Sequence, residues 1–347
     1  MKGRMVILDR VGDRAAAALM VDGRLQDLLI DPPDDRPGLG AIFRAIVDRQ
    51  VKGQGGVFLR LPAGRAFLKQ AKGLRPGQGL LVQVTGYAEA GKAVPVTPKL
   101  LFKSRHAIVT PDAPGLNISR KIRDEDERDR LLELAHEGME GANPRFGLIL
   151  RSAADGAPED EIAADIAAMR DLAQAVCAEP TDGPPEALLD APDTHLTAWR
   201  DWADPAPDMV VEDTGSFETH GVWDAIAALD GPTPLPGGGT LYVEPTRALV
   251  AVDVNTGPDT SPAAGLKANI AAARDLPRQL RLRGLAGQVV VDFAPMPKKD
   301  RLVLEQTLKS ALRADAVETS FVGWTPLGHA ELTRKRERLP LTEALPR

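Results

Sequence analysis

The sequence predicts a mixed α/β chain of several domains, with a small β-barrel ahead of a C-terminal α/β layer. Between residues 40 and 100 lie five short apolar runs, AIFRAIV, GGVFLRL, GRAFLK, GLLVQVTGY and AVPVTPKLLF, separated by Gly and Pro. Short strands at that spacing suggest a barrel. In the last third, β-branched runs alternate with helical ones, the pattern of strands layered with helices. At 347 residues and 43% hydrophobic content the chain can bury the cores of two or three domains.

The remaining elements follow from local pattern. MVILD, AAALMVDG and RLQDLLI read as an opening hairpin that DPPDDRPG ends. After the barrel, Glu125 to Glu140 reads as a helix and FGLILRS as a buried strand with a basic residue at its exit. Residues 159 to 178 form a second amphipathic helix, with Ile162, Ile166, Met169, Leu172 and Val176 on one face. Residues 179 to 207, rich in Pro and Asp, read as a long loop or boundary with one short helix near Leu196 to Trp202. Then come a strand pair, GGGTLYVEP and ALVAVDV, and a helix from Leu266 to Arg283 with a bend expected at Pro277. A fully buried strand, GQVVVDF, a helix from Lys299 to Ala314 and a strand, ETSFVGW, complete the layer.

Composition limits the function classes. No apolar run approaches the roughly 18 residues of a membrane helix, and the charged start MKGRMVILDRVGDR is unlike a signal peptide, so a cytoplasmic, membrane-free protein is expected. The single cysteine, Cys177, excludes an internal disulfide and a multi-cysteine zinc site. A net charge of -6 argues against a nucleic-acid coat protein, since phosphate binding needs Lys and Arg. Basic residues nonetheless gather at Arg120, Lys121 and Arg123, at Arg278, Arg281 and Arg283, at Lys298, Lys299 and Arg301, and at Arg334, Lys335, Arg336 and Arg338. Some of these clusters are expected to face phosphate and others to be solvated helix faces.

The chemistry concentrates on two aspartates. In ALVAVDVNTG and QVVVDFAPM a carboxylate sits at the end of an apolar strand, and one helix separates the two, which makes a βαβ unit. A right-handed crossover lays such strands parallel, about 5 Å apart, with both ends opening on one crevice. Asp253 and Asp292 are then close enough to share a cation. Mg²⁺ suits them because it takes oxygen ligands and binds through one or two carboxylates, several waters and a substrate phosphate. Asn255, two residues on, faces the same way and could orient water or phosphate. The competing reading is that each Asp caps a turn or helix. Glycosidases and phosphatases also pair carboxylates, so spacing alone implies a metal site in an α/β domain and no more.

The wording of the C-terminal third is more specific. LPGGGTLYVEPTRALVAVDVNTG, RQLRLRGLAGQVVVDFAPM and LGHAELTRKRERL resemble the ribonuclease E/G endonucleases, and a weaker likeness covers nearly the whole chain. The resemblance implies that the Asp-x-Asn motif, Asp253 to Asn255, and Asp292 before Phe293 hold Mg²⁺, or Mn²⁺ in its place. It further implies an S1/OB-type barrel at 39–102 inserted in an RNase H-like region made of 1–38 and 180–230. A 5′-sensor region would occupy 103–179, and a DNase I-like catalytic domain 231–347. On the barrel, Phe58 and Phe67 match stacking aromatics and Lys92 a basic contact, although each Phe could equally be core. NISRKI and LILRS resemble parts of the family's pocket for an RNA 5′-monophosphate, which implies RNA contacts at Arg120 and Lys121 and makes Arg151 and Ser152 the holders of the phosphate.

Departures from the family pattern matter too. Glu318 stands where a further sensor arginine aligns, Pro295 where another Asp is common, and the zinc-link cysteines are missing. The expectation is therefore no structural zinc, no scaffold tail for a degradosome, and a homodimer compatible only with other surfaces. The implied activity is endonucleolytic cutting of single-stranded, A/U-rich RNA in RNA processing or decay. The alternatives are a degenerate relative that binds RNA without cutting, or a metal enzyme acting on small phosphate esters or sugars.

Overall fold

The computed structural model describes residues 3–33, 36–51, 55–69, 71–89 and 91–346. It divides into two units, one formed by Met1–Pro32 with Asp208–Arg347 and the other by Pro33–Pro207, so the second is inserted in the first. Among the described residues no helix is long and apolar enough to cross a membrane.

The first unit opens with β1 (Arg4–Val11), β2 (Arg14–Val21) and β3 (Arg24–Ile30), an antiparallel meander one strand longer than the expected hairpin. Asp22 and Gly23 join β2 to β3 with φ of 51° and 76°. Two positive φ values in a two-residue turn match the twist of the flanking strands.

In the second unit, β4 (Ile42–Val51), β5 (Gly56–Arg60), β6 (Arg65–Leu68), β7 (Gly79–Val84) and β8 (Val94–Thr97) correspond to the five apolar runs. Pairing of β4 with both β5 and β7 closes them into a barrel, with β6 and β8 parallel. Val47, Val57, Leu59, Ala66, Val82 and Val96 fill it. A second sheet has the order β11 (Gly115–Ile118), β12 (Gly147–Leu150), β10 (Ala107–Thr110) and β9 (Phe102–Lys103). Helices α1 (Glu125–Gly138) and α2 (Glu159–Cys177) share its core, where Ile162 and Ile166 are buried and Met169 and Leu172 packed at the margin. The Pro- and Asp-rich stretch holds more than the expected short helix. It contributes β13 (Glu186–Leu189), which pairs with β4, before α3 (Thr194–Asp201), capped by Asp193.

The first unit resumes with β14 (Met209–Val211), parallel to β1, and with α4 (Ser216–Thr219) and α5 (Val222–Ala227). Buried Asp9 accepts the amides of Gly215 and Phe217, tying α4 to β1. The C-terminal sheet has six strands: β15 (Thr233–Pro234), β16 (Thr240–Pro245), β17 (Val250–Asn255), β18 (Gly287–Asp292), β19 (Thr319–Trp324) and β20 (Ala330–Arg334). Its order is β15-β16-β17-β18-β20-β19. Helices α6 (Pro262–Leu282) and α7 (Arg301–Ala314) pack on it, and α8 (Leu341–Ala344) follows. Ser261 caps α6 with Pro262 in the first turn, and the helix continues through Pro277. Small residues and leucines at Ala268, Ala272, Leu276 and Leu280 form its buried stripe. Strand β20 was not foreseen, although Ala330, Leu332 and Arg334 are buried alternately. Nor is GQVVVDF fully buried: Val289 and Val291 face the core while Gln288 and Asp292 are exposed.

Several of the basic clusters serve the fold. Arg278 and Arg281 donate to the carbonyls of Leu25 and Gln26, and Arg281 and Arg338 pair with buried Asp27, so α6 is fastened to β3. Asp315, almost fully buried, pairs with Arg281 and with the equally buried Arg334 at 2.8 Å. Burial, and then the neighbouring Arg338, push the Arg334 guanidinium down to about 10, so it stays charged at neutral pH. Removing one partner from such a cluster strands the others. Asp315→Ala is therefore expected to cost roughly 3–5 kcal/mol, measured by urea denaturation, whereas Lys335→Ala at the surface leaves the midpoint nearly unchanged.

Candidate active site

Strands β17 and β18 run parallel, and the pairing Val250↔Val289, Val252↔Val291 places Asp253 directly beside Asp292. Each strand turns its buried valines inward, so alternation sends both carboxylates to the exposed face. Asn255 lies on that face too, and its Nδ2 donates to Asp253 Oδ2 at 2.7 Å. Among the described residues neither aspartate is paired with a lysine or arginine, and no three His, Cys, Asp or Glu side chains converge on one point. The site therefore offers two adjacent carboxylates, a donor set of oxygen that fits a hard cation keeping water and substrate as its other ligands.

Two neighbours escaped the sequence reading. Antiparallel pairing sets Tyr242 on β16 opposite Asp253, and Tyr242 is 38% exposed. On the other flank, β18 and β20 pair at Val291↔Ala330, and His329 Nε2 comes within 3.7 Å of Asp292 Oδ1. Tyr242, Asp253 and Asp292 thus form a row across three strands, continued by His329 at the entry to β20. The alternation of TLYVEP could have placed Tyr242 on this face. His329 depended on finding β20.

The exit of β18 is held from behind by α6. Asn269, fully buried, donates through Nδ2 to the carbonyl of Ala294 and accepts the Ala294 amide on Oδ1. Gly265 lies so close that an added Cβ would stand 2.6 Å from the Pro295 carbonyl oxygen. The backbone two and three residues beyond Asp292 is thereby held at two points.

With this geometry in place, comparison with known proteins is decisive: the model of the Ribonuclease E/G family matches residues 102–220 and 209–337. The chain belongs to the ribonuclease E/G family. It is 31% identical to ribonuclease E of Nostoc sp. over 348 residues, covering 87% of this chain and 49% of that protein. It is 28% identical to ribonuclease G of Salmonella typhimurium, covering 91% and 76%, and 28% identical to that of Escherichia coli, covering 93% and 78%. The chain thus spans about half the length of the first ribonuclease E/G relative and about three quarters of the other two. The closed barrel fits the S1-like domain expected from the family resemblance.

The other residues singled out from sequence are dispersed over the inserted unit. Phe58 and Phe67 are cross-strand partners on the barrel, both half-buried, with ring centroids 5.4 Å apart and the Arg49 guanidinium 5.3 Å from the Phe58 ring. Lys92 pairs with Glu89, and Lys121 with Asp204 at 3.4 Å, while Arg120 is exposed. Arg151 directly follows β12 and precedes Ser152, which opens a short 3-10 turn. Its guanidinium donates to the carbonyls of Ser104 and Arg200 and pairs with Asp201 at 2.8 Å. Glu318, in the other unit, pairs with Lys335.

Burial raises the Asp201 carboxyl, but Arg200 and then Arg151 outweigh it and hold it below the ordinary carboxylate range. A depressed folded-state value means that Asp201 stabilises the fold above its unfolded value of about 3.9. That contribution is lost as pH falls through the lower folded value. Asp201→Asn should accordingly lower the melting temperature at pH 7, and the gap from wild type should close near pH 3. At the strand exit, Asn269→Leu should cost roughly 2–4 kcal/mol by leaving the Ala294 amide and carbonyl unsatisfied, and amide hydrogen exchange should lose protection selectively around residues 292–296.

Proposed function

We propose that this chain is a divalent-metal-dependent endoribonuclease acting on single-stranded RNA in processing or decay. The observation that supports it best is the in-register placement of Asp253 beside Asp292 on the exposed sheet face, at the ends of two central strands, in a ribonuclease E/G family member. The relatives named ribonuclease E and ribonuclease G lend the reaction class. In this reading 231–347 is the catalytic, DNase I-like domain. The opening meander, with β14, α4 and α5, is a reduced RNase H-like layer, and 103–179 is the sensor region.

Asp253 and Asp292 would hold Mg²⁺ or Mn²⁺, with Asn255 orienting the Asp253 carboxylate through its 2.7 Å hydrogen bond. When bound, the ion supplies neutralisation of the charge that builds on the phosphoryl oxygens. Water attacks phosphorus as the bond to the 3′ oxygen breaks, leaving a 5′-phosphate and a 3′-hydroxyl. Phe58, Phe67 and Arg49 form the stacking and cationic elements of the barrel, with Lys92, Arg120 and Lys121 as further backbone contacts. A/U-rich segments suit such a surface because weakly paired strands expose their bases.

The test is cleavage of a 5′-labelled single-stranded RNA with Mg²⁺ and with EDTA. Asp253→Asn and Asp292→Asn should each lower the rate by about a hundredfold or more while thermal unfolding and RNA binding stay near wild type. Persistence of cleavage in both variants would sink the proposal. Binding without cleavage by the wild type would mark an RNA-binding relative that has lost hydrolysis.

Arg151 and Ser152 would meet a 5′-monophosphate, yet Asp201 already engages the arginine. RNAs with 5′-monophosphate and 5′-hydroxyl ends should therefore be cleaved at comparable rates, and Asp201→Asn should create a preference for the monophosphate. A strong monophosphate preference in the wild type would overturn the first expectation.

A further inference from the structure

We infer that Tyr242 is the seat for an unpaired base next to the scissile phosphate, and so a determinant of single-strand specificity in the catalytic unit itself. The inference rests on the endoribonuclease reading of the aspartate pair and adds a substrate contact to it. Tyr242 is the cross-strand partner of Asp253, and Asp253 of Asp292, so the aromatic ring and both carboxylates occupy successive positions on one sheet face. Neighbouring strands stand about 4.8 Å apart, which puts the ring within one nucleotide of whatever the aspartates hold. The ring lies on the solvent side of β16, where Leu241 on the opposite side is fully buried, so it contributes little to the core.

The row is asymmetric. On the Asp292 side stands an imidazole nitrogen, His329 Nε2, 3.7 Å from the carboxylate, and on the Asp253 side an aromatic plane. A nucleotide is asymmetric in the same sense, since it carries an anionic phosphate on one side and a flat base on the other. A phosphate held at the aspartate pair through a cation would leave the base to lie over Tyr242. Stacking of a base on an aromatic side chain tolerates any base but requires one that is free of its partner. A duplex keeps its bases inside, so it cannot reach this ring. The sheet face would then reject duplex RNA without any reading of sequence.

The test uses the whole chain and a short all-2′-O-methyl single strand of A/U composition, checked by gel to stay intact through the binding measurement, with a series carrying one abasic position at each site in turn. Tyr242→Ala should weaken binding of the intact strand by about tenfold, within the range of a single base-aromatic stack, whereas Tyr242→Phe should stay within about twofold because the ring plane is kept. At one abasic position the difference between wild type and Tyr242→Ala should vanish. The cleavable RNA should show the same loss chiefly in KM. Equal loss in Phe and Ala variants, no loss in Ala, or a loss that persists at every abasic position would overturn the assignment. Those failures would leave the Asp253→Asn result standing. A wild type that binds no RNA would overturn both readings.

Discussion

The parallel pairing of β17 with β18 is the constraint on which the rest of the C-terminal sheet and its carboxylate pair depends. Parallel strands need a crossover, here α6, and the crossover must be buried on the same face that the strands bury. Valines at alternate positions of both strands and the stripe of Ala and Leu on α6 satisfy that need together. Once the valines face inward, both aspartates must face outward, and a shift of one residue in either strand would separate them. The carboxylates stay adjacent because hydrophobic burial on the other side of the sheet resists any change of register. Asn269 and Gly265 extend the same control to the backbone beyond Asp292, where no strand pairing remains.

Charge is allocated unevenly in this acidic chain. Arg278, Arg281, Arg334 and Arg338 carry sequence features of a phosphate-binding surface, yet their guanidiniums are tied to carbonyls and to Asp27, Asp275 and Asp315. Guanidinium groups suit this work because a planar fork can meet a carbonyl and a carboxylate at once. Fewer cations are therefore free to neutralise phosphates than the sequence count suggests. Under the proposed function, aromatic surfaces such as Phe58 with Phe67, backed by Arg49, take a correspondingly larger share of binding.

The inserted unit shows the same economy at Arg151. Its Nη1 and Nη2 groups are directed to two carbonyls and Asp201, an arrangement that fixes α3 against the exit of β12. A group so engaged must exchange one anion for another before it can bind phosphate. The barrel, by contrast, is closed by backbone pairing of β4 with β7 and leaves its aromatic pair half-buried, where rings can both pack and present a face.

Much of this protein was legible in the sequence because the governing signals are local. Five Gly- and Pro-bounded apolar runs became the five barrel strands, and VAVDVN and VVVD became neighbouring strands with their aspartates side by side. Hydrophobic alternation and turn residues act over a few positions, so they can be read without a partner. The strands β13 and β20 were missed because their partners lie far away in sequence or are needed to make a short, polar-flanked run extend. Tyr242 and His329 looked ordinary for the same reason: their place beside the aspartates comes from cross-strand register, not from any motif. The fate of the arginines was equally hidden, since a cationic side chain declares its charge in sequence, whereas the anion or carbonyl that claims it is chosen by tertiary packing.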